Sequence, residues 1–189
     1  MRRRASNWAQ MNDTLQAALH ATALGSPALT ALAVFCANVL LFGLVALLAA
    51  LLLLRLKSLT PALLARMAVS LLVSTLLTLL LGHLIADPRP YLAEHYAPLA
   101  HVAVDNGFPS DHTLIVALLL GWAWWLDRRW WPVFAAGLLA VLLGRLAIGA
   151  HHSLAVLGSV GIASAGLLIA AQIPWPTTWP TRLPFVNRS

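Results

Sequence analysis

The sequence predicts an all-α protein, a polytopic membrane helix bundle of about five transmembrane helices preceded by an N-terminal amphipathic interfacial helix. Two observations carry this expectation. Of 189 residues, 60% are hydrophobic and only 10% charged, with a mean hydropathy of +0.82, which leaves too little polar surface to cover a soluble globule. The basic residues fall mostly at the ends of long apolar runs, where topology and anionic headgroups account for them. The net charge of +6 therefore points to membrane lipids as partners, and nucleic acid is not expected.

The elements follow in order along the chain. Met1-Arg2-Arg3-Arg4 opens like a signal peptide, but Asn12, Asp13, Gln16 and His20 stand where its apolar core would follow. Trp8, Met11, Leu15, Leu19 and Leu24 recur at three- to five-residue spacing, so residues 1–26 form an N-terminal unit with an amphipathic helix over 8–24. A transmembrane domain occupies 27–173. Its first run, 27–54, carries no charge and exceeds the roughly 20 residues a spanning helix needs. Arg55 and Lys57 close it. A short loop with Pro61 and Arg66 leads to a second span at 67–86, stopped by Asp87-Pro88-Arg89-Pro90. After a polar loop at 87–110, a third span covers 112–126. Trp124, Trp125, Trp130 and Trp131 around Asp127-Arg128-Arg129 form an aromatic belt at its far end. Spans at 132–149 and 153–173 complete the domain, and 174–189 is a proline-rich tail. Cys36, the sole cysteine, lies inside an apolar run and serves packing, since it can form neither an intrachain disulfide nor a thiolate metal site.

Crossings alternate, so parity assigns the loops to faces. One face holds Arg55, Lys57, Arg66, Arg128, Arg129, Arg182 and Arg188, and the other holds only Arg89 and Arg145. The positive-inside rule turns the second face outward, although it also leaves Arg2 to Arg4 outside. That outward face gathers the residues capable of chemistry. Ser110 precedes a helix start, where its hydroxyl can cap the helix while the amides of Asp111, His112 and Thr113 present the positive dipole end. Such a terminus binds phosphate, although a plain cap explains a Ser-Asp pair equally. Arg89 and Arg145 supply forked donors for phosphate oxygens. An arginine in an apolar helix costs roughly 2.5–3.5 kcal/mol at mid-membrane, which either a bound anion or snorkelling to the headgroups would offset.

Neutral histidine can attack phosphorus while a second, protonated histidine donates to the leaving oxygen. His151 or His152 suits the first role and His112 the second; the alternatives are core or interface histidines or a zinc site drawn from His95, His101, His112, His151 and His152. Their spacing matches no metal motif. Arg89-Pro90, then Pro109-Ser110-Asp111-His112, then Arg145 with His151 six residues later resemble the three signature motifs of the type 2 phosphatidic acid phosphatase superfamily of lipid phosphatases. Order and spacing both match, over about residues 82–158. The Phe-Pro-Ser-Asp-His-Thr wording, the length and the amphipathic start are most similar to the bacterial undecaprenyl-diphosphate phosphatase branch. The resemblance implies a bacterial cell-membrane hydrolase without metal or cofactor, acting on a polyprenyl diphosphate or related lipid phosphate through a phosphohistidine. It implies His151 as nucleophile, His112 as acid, and a phosphate-binding set of Arg89, Ser110, Arg145 and Asp111.

Three positions depart from that pattern. Gly82 and Gly144 stand where the first and third motifs open with lysine and serine, and Ala155 stands where an aspartate orients the nucleophile. Removing the orienting member of a triad can cost ~10⁴ in rate. Either Asp87, Asp105 or Asp111 replaces that aspartate, or the chain is a catalytically silent relative that binds or carries a lipid phosphate.

Overall fold

Every regular element is a helix in the computed structural model, which describes residues 13–176 and Trp179. The first, α1 (Thr14–Leu24), begins where the Asp13 carboxylate accepts the Gln16 N–H at 3.0 Å. The part of the expected amphipathic helix before residue 13 lies outside the described residues. Leu15 and Leu24 face outward, whereas Gln16 and His20 turn onto the end of the helix that carries Arg145. Fully buried Gln16 donates to Tyr96 Oη at 3.0 Å and to the Leu146 carbonyl at 3.3 Å. Asp13, Gln16 and His20, which interrupt the apolar pattern, thus bond backbone and side-chain groups of the bundle.

Next come α2 (Pro27–Val34) and α3 (Leu40–Leu54), joined into one 28-residue rod by a π-helical turn over Phe35–Val39. The helix α4 (Pro61–Leu84) starts six residues before the expected second span, so Pro61 and Arg66 lie in it rather than in a loop. Proline needs no N–H at the first helical position, and the Thr60 hydroxyl caps the turn by accepting from the Leu63 N–H at 3.1 Å. A single turn, α5 (Pro90–Ala93), sits in the polar loop. Then follow α6 (Asp111–Leu126), α7 (Trp131–Ala147) and α8 (Ser153–Gln172).

Four stretches, Pro27–Leu54, Pro61–Leu84, Arg128–Ala147 and Ser153–Gln172, are long and apolar enough to cross a membrane, and Asp111–Leu126 is a shorter apolar helix. At 1.5 Å per residue α6 is only about 24 Å long, less than the roughly 30 Å of a hydrocarbon core. It is also well enclosed, packed against α7, α8 and α3 with Val116, Leu118, Leu119 and Ala123 buried. Small residues let α8 approach α4. A Cβ on Gly166 would lie 2.6 Å from the Ser70 carbonyl, and Trp122 of α6 donates to Ser70 Oγ at 2.9 Å. Outward-facing Leu53, Leu72, Leu76, Leu80, Leu139, Leu157 and Leu168 give the bundle an apolar exterior. The C-terminal ends of α4 and α7 meet the N-terminal ends of α6 and α8 at one end of this bundle.

Candidate active site

At that end a cavity of about 580 Å³ gathers Arg89, His112, Arg145 and His151 with Asp105, Asp111 and Asn38. The chain reaches it through tight local turns. Gly149 ends α7 with φ at 77°, a conformation that glycine adopts freely, and a Cβ there would lie 2.7 Å from Tyr96 Oη. On the other side the loop before α6 is stapled to the end of α4 by Asn106. Its amide donates to the carbonyls of Gly82, Ile85 and Phe108 at 2.8, 2.9 and 3.0 Å, and its oxygen accepts the Asp87 N–H at 2.8 Å. The Gly107 N–H adds a bond to the Asp87 carbonyl at 2.7 Å.

His151 is 2% exposed and held from both ring nitrogens. Its Nδ1 lies 2.7 Å from the Gly107 carbonyl oxygen and its Nε2 lies 3.1 Å from Arg145 Nη2. A carbonyl accepts and a guanidinium donates, so the proton sits on Nδ1 and the lone pair on Nε2. Burial first, then the charges of Arg145 and Arg89, hold this ring well below the usual histidine pKa, against the opposing pull of the Gly107 bond. The neutral ring, with its lone pair on Nε2, is the favoured form.

Arg89 and Arg145 are both buried but differently balanced. Arg89 donates from Nε and Nη2 to Asp105 Oδ1, at 2.7 and 2.5 Å, and from Nη1 to the Ala150 carbonyl at 2.9 Å. Arg145 donates from Nη1 to Asn38 Oδ1 at 3.0 Å, while its Nε is buried without a partner and no carboxylate forms an ion pair with it among the described residues. Asn38 comes from the π-helical turn, which Gly144 admits. A Cβ at Gly144 would lie 2.7 Å from the Ala37 nitrogen and 2.9 Å from Cys36 Cβ.

Other expected residues sit elsewhere. Ser110 is fully buried and makes no capping bond. Its hydroxyl accepts from Thr113 Oγ1 at 3.1 Å and its N–H donates to Ser159 Oγ at 2.8 Å, so α8 engages the side chain's surroundings and the expected cap is absent. The first-turn amides of α6 are left without a side-chain cap. Exposed Asp111 and half-buried His112 line the cavity. His152, adjacent in sequence to His151, turns away to pair with Asp87 Oδ1 at 2.8 Å, and exposed His95 lies outside the cavity lining. Sequence reasoning missed Asn38 and Asn106. The signal for Asn38 was a lone amide in an uncharged apolar run; for Asn106, the Asn-Gly turn.

The chain matches the PAP2 superfamily over residues 63–179, a stretch that contains all four cavity cations and histidines named above. The chain belongs to the PAP2 superfamily. It is 33% identical over 168 residues to the Escherichia coli (strain K12) protein named "Putative undecaprenyl-diphosphatase YbjG", covering 87% of this chain and 83% of that protein. It is 35% identical over 78 residues to the undecaprenyl-diphosphatase BcrC of Bacillus subtilis (strain 168), covering 41% of this chain and 40% of BcrC. No solved structure matches the chain.

Membership sharpens the meaning of Ala155. None of Asp87, Asp105 and Asp111 hydrogen-bonds His151: the first pairs with His152, the second with Arg89, and the third lines the cavity. The partner at Nδ1 is a backbone carbonyl. Ala155 itself is fully buried in an apolar cluster with Phe108, Leu114, Ala117, Ile162 and Ala163. Gly82, which stands where the first motif opens with lysine, lines the cavity, and its carbonyl accepts from Asn106.

Proposed function

We propose that this protein removes the terminal phosphate of a polyprenyl diphosphate, undecaprenyl diphosphate or a related lipid phosphate, through a phosphohistidine on His151. Family membership and the names of its relatives support a lipid phosphatase. The observation that carries the mechanism is the His151 ring, with a proton fixed on Nδ1 by Gly107 and a lone pair on Nε2 beside Arg145. Arg145 has no carboxylate partner among the described residues, so a phosphate would satisfy a buried cation. Binding transfers the Arg145 Nη2 donor from Nε2 to a phosphate oxygen and frees the lone pair.

In the first step Nε2 bonds to the terminal phosphorus and the bridging P–O bond breaks, and His112 protonates the leaving lipid phosphate. In the second, His112 takes a proton from water as the water oxygen bonds to phosphorus, the P–N bond breaks, and inorganic phosphate leaves. Arg89, Arg145 and the α6 amides stabilise the charge on the equatorial oxygens. Asp111 joins the proposed phosphate-holding set from the cavity wall, and Ser110, whose N–H is donated to Ser159 Oγ, serves that set by fixing the start of α6 rather than by touching the phosphate.

Phe42 of α3 and Leu79 of α4 line the cavity and are exposed on the apolar exterior, which supports a lipid tail leaving sideways between these helices. The sparse basic residues at this end favour an outward-facing site in a bacterial cell membrane. A catalytically silent carrier is the reading that Ala155 favours. Phosphate release from undecaprenyl diphosphate in detergent separates the two: release by wild type that His151→Ala abolishes supports the hydrolase, and binding without release supports the carrier.

A further inference from the structure

The remote end of the bundle holds a second cavity, of about 400 Å³, between the first turns of α4 and the last turn of α6. Its polar and aromatic walls are Ser58, Thr60, Arg66, Trp124, Trp125 and Arg128. Arg66 Nε is buried there and has no hydrogen-bond partner among the described residues, while the Arg128 guanidinium lies 4.5 Å above the Trp124 ring. An unsatisfied buried donor is costly, and two guanidiniums on one cavity call for an anion.

The chain has no side chain to supply that anion. Its six acidic residues are Asp13, Asp87, Glu94, Asp105, Asp111 and Asp127. Asp13 binds Ser153, Asp87 binds His152, Asp105 binds Arg89 and Asp111 lines the first cavity. Glu94 follows α5 in the loop at that same end. Asp127, the one acid at the remote end, is paired with Arg55 at 2.5 Å. The segments outside the described residues contain no Asp or Glu.

We propose that this second cavity holds the phosphate of an anionic phospholipid headgroup. Arginine forks match phosphate oxygens, the Thr60 hydroxyl accepts from the Leu63 N–H and keeps its own proton to donate, and indole rings sit at headgroup level. Basic pockets between spanning helices on the positive face bind such headgroups, and parity puts Arg66 and Arg128 on that face. Exposed Leu64 and Trp124 continue the cavity onto the apolar exterior, where acyl chains would lie; free phosphate would gain nothing from them.

Native mass spectrometry of the full chain in neutral detergent, titrated with phosphatidylglycerol, phosphatidylcholine and inorganic phosphate, tests this site. Wild type is expected to prefer phosphatidylglycerol to phosphatidylcholine at least tenfold, and the Arg66→Gln/Arg128→Gln pair to lose that preference with unchanged elution and melting. Arg55→Gln, which removes a cation already paired with Asp127, is expected to retain it. Equal phosphatidylglycerol binding by wild type and the double variant overturns the proposal, as does an equal loss in Arg55→Gln. Displacement of the lipid by equimolar inorganic phosphate overturns the lipid assignment. Should the double glutamine variant not fold, Arg66→Lys/Arg128→Lys keeps charge without the forks: a several-fold drop in preference supports the site, and wild-type preference overturns it.

Discussion

The Gly107 carbonyl oxygen lies 2.7 Å from His151 Nδ1, so a backbone atom orients the ring where the superfamily pattern would use an aspartate side chain. Gly107 is itself fixed. A Cβ at this position would lie 2.8 Å from the Asp87 carbonyl and 3.3 Å from Arg89 Cγ. Gly107→Ala is therefore expected to displace the carbonyl and tilt His151. Misplacement by about 1 Å can cost on the order of 100-fold in rate. We expect kcat for lipid diphosphate hydrolysis to fall by about that factor with a smaller change in KM, measured by phosphate release; an unchanged kcat would remove Gly107 from the positioning role.

Restoring the family aspartate is expected to harm the protein. The Ala155 side chain is buried against Phe108 and Ile162, and His151 Nδ1 is already occupied. A carboxyl group buried there without a partner costs roughly 1–3 kcal/mol. Ala155→Asp should lower the melting temperature in detergent without raising kcat. A gain in turnover would mean that the carboxylate reaches the ring.

With His151 as the proposed nucleophile, the pH dependence of the free enzyme is expected to follow from its ring. Burial and the two arginines hold its pKa well below the ordinary histidine value, so the unprotonated nucleophile persists as pH falls through about 6.5. The acid limb of kcat/KM is expected well below that pH. Arg145→Gln, measured on its residual activity, removes a repelling charge and should move the limb upward; an acid limb near 6.5 in wild type would contradict the assignment.

His152 has the opposite sign. Burial opposes its protonation, but the Asp87 hydrogen bond and charge outweigh it and raise the pKa. The folded state then binds this proton more tightly than the unfolded chain. The stabilisation is complete below the unfolded pKa of about 6.5 and is lost as pH rises through the raised folded value. Melting temperature should fall across that window, by roughly 2–4 °C per kcal/mol lost, and His152→Gln should flatten the fall. The same slope in the variant would locate its origin elsewhere.

Much of the fold is legible in the residues because the membrane restricts it so strongly. The uncharged run before Arg55, the prolines after Ile85 and the tryptophans around Arg128 each mark a helix or its end. Pro61 misled because proline can open a helix as readily as stop one. Arg89, His112, Arg145 and His151 stand near element ends in the sequence and meet at one cavity. Ser110 and Asn38 were less legible. The first is enclosed by Ser159 of a distant helix, and the second reaches Arg145 through a π-helical turn that Gly144 admits.

By itself, the sequence determined an all-helical apolar bundle with its histidines and site arginines at one end, since helix period and hydrophobicity are properties of contiguous residues. Only the tertiary structure decided what holds His151, because every residue carries the same carbonyl and nothing in Gly107's identity names its partner. It also separated His151 from its neighbour His152, by giving one to Gly107 and Arg145 and the other to Asp87. Hydrogen-bond pairing across 44 and 65 residues depends on how helix ends and loops pack, which no local pattern encodes.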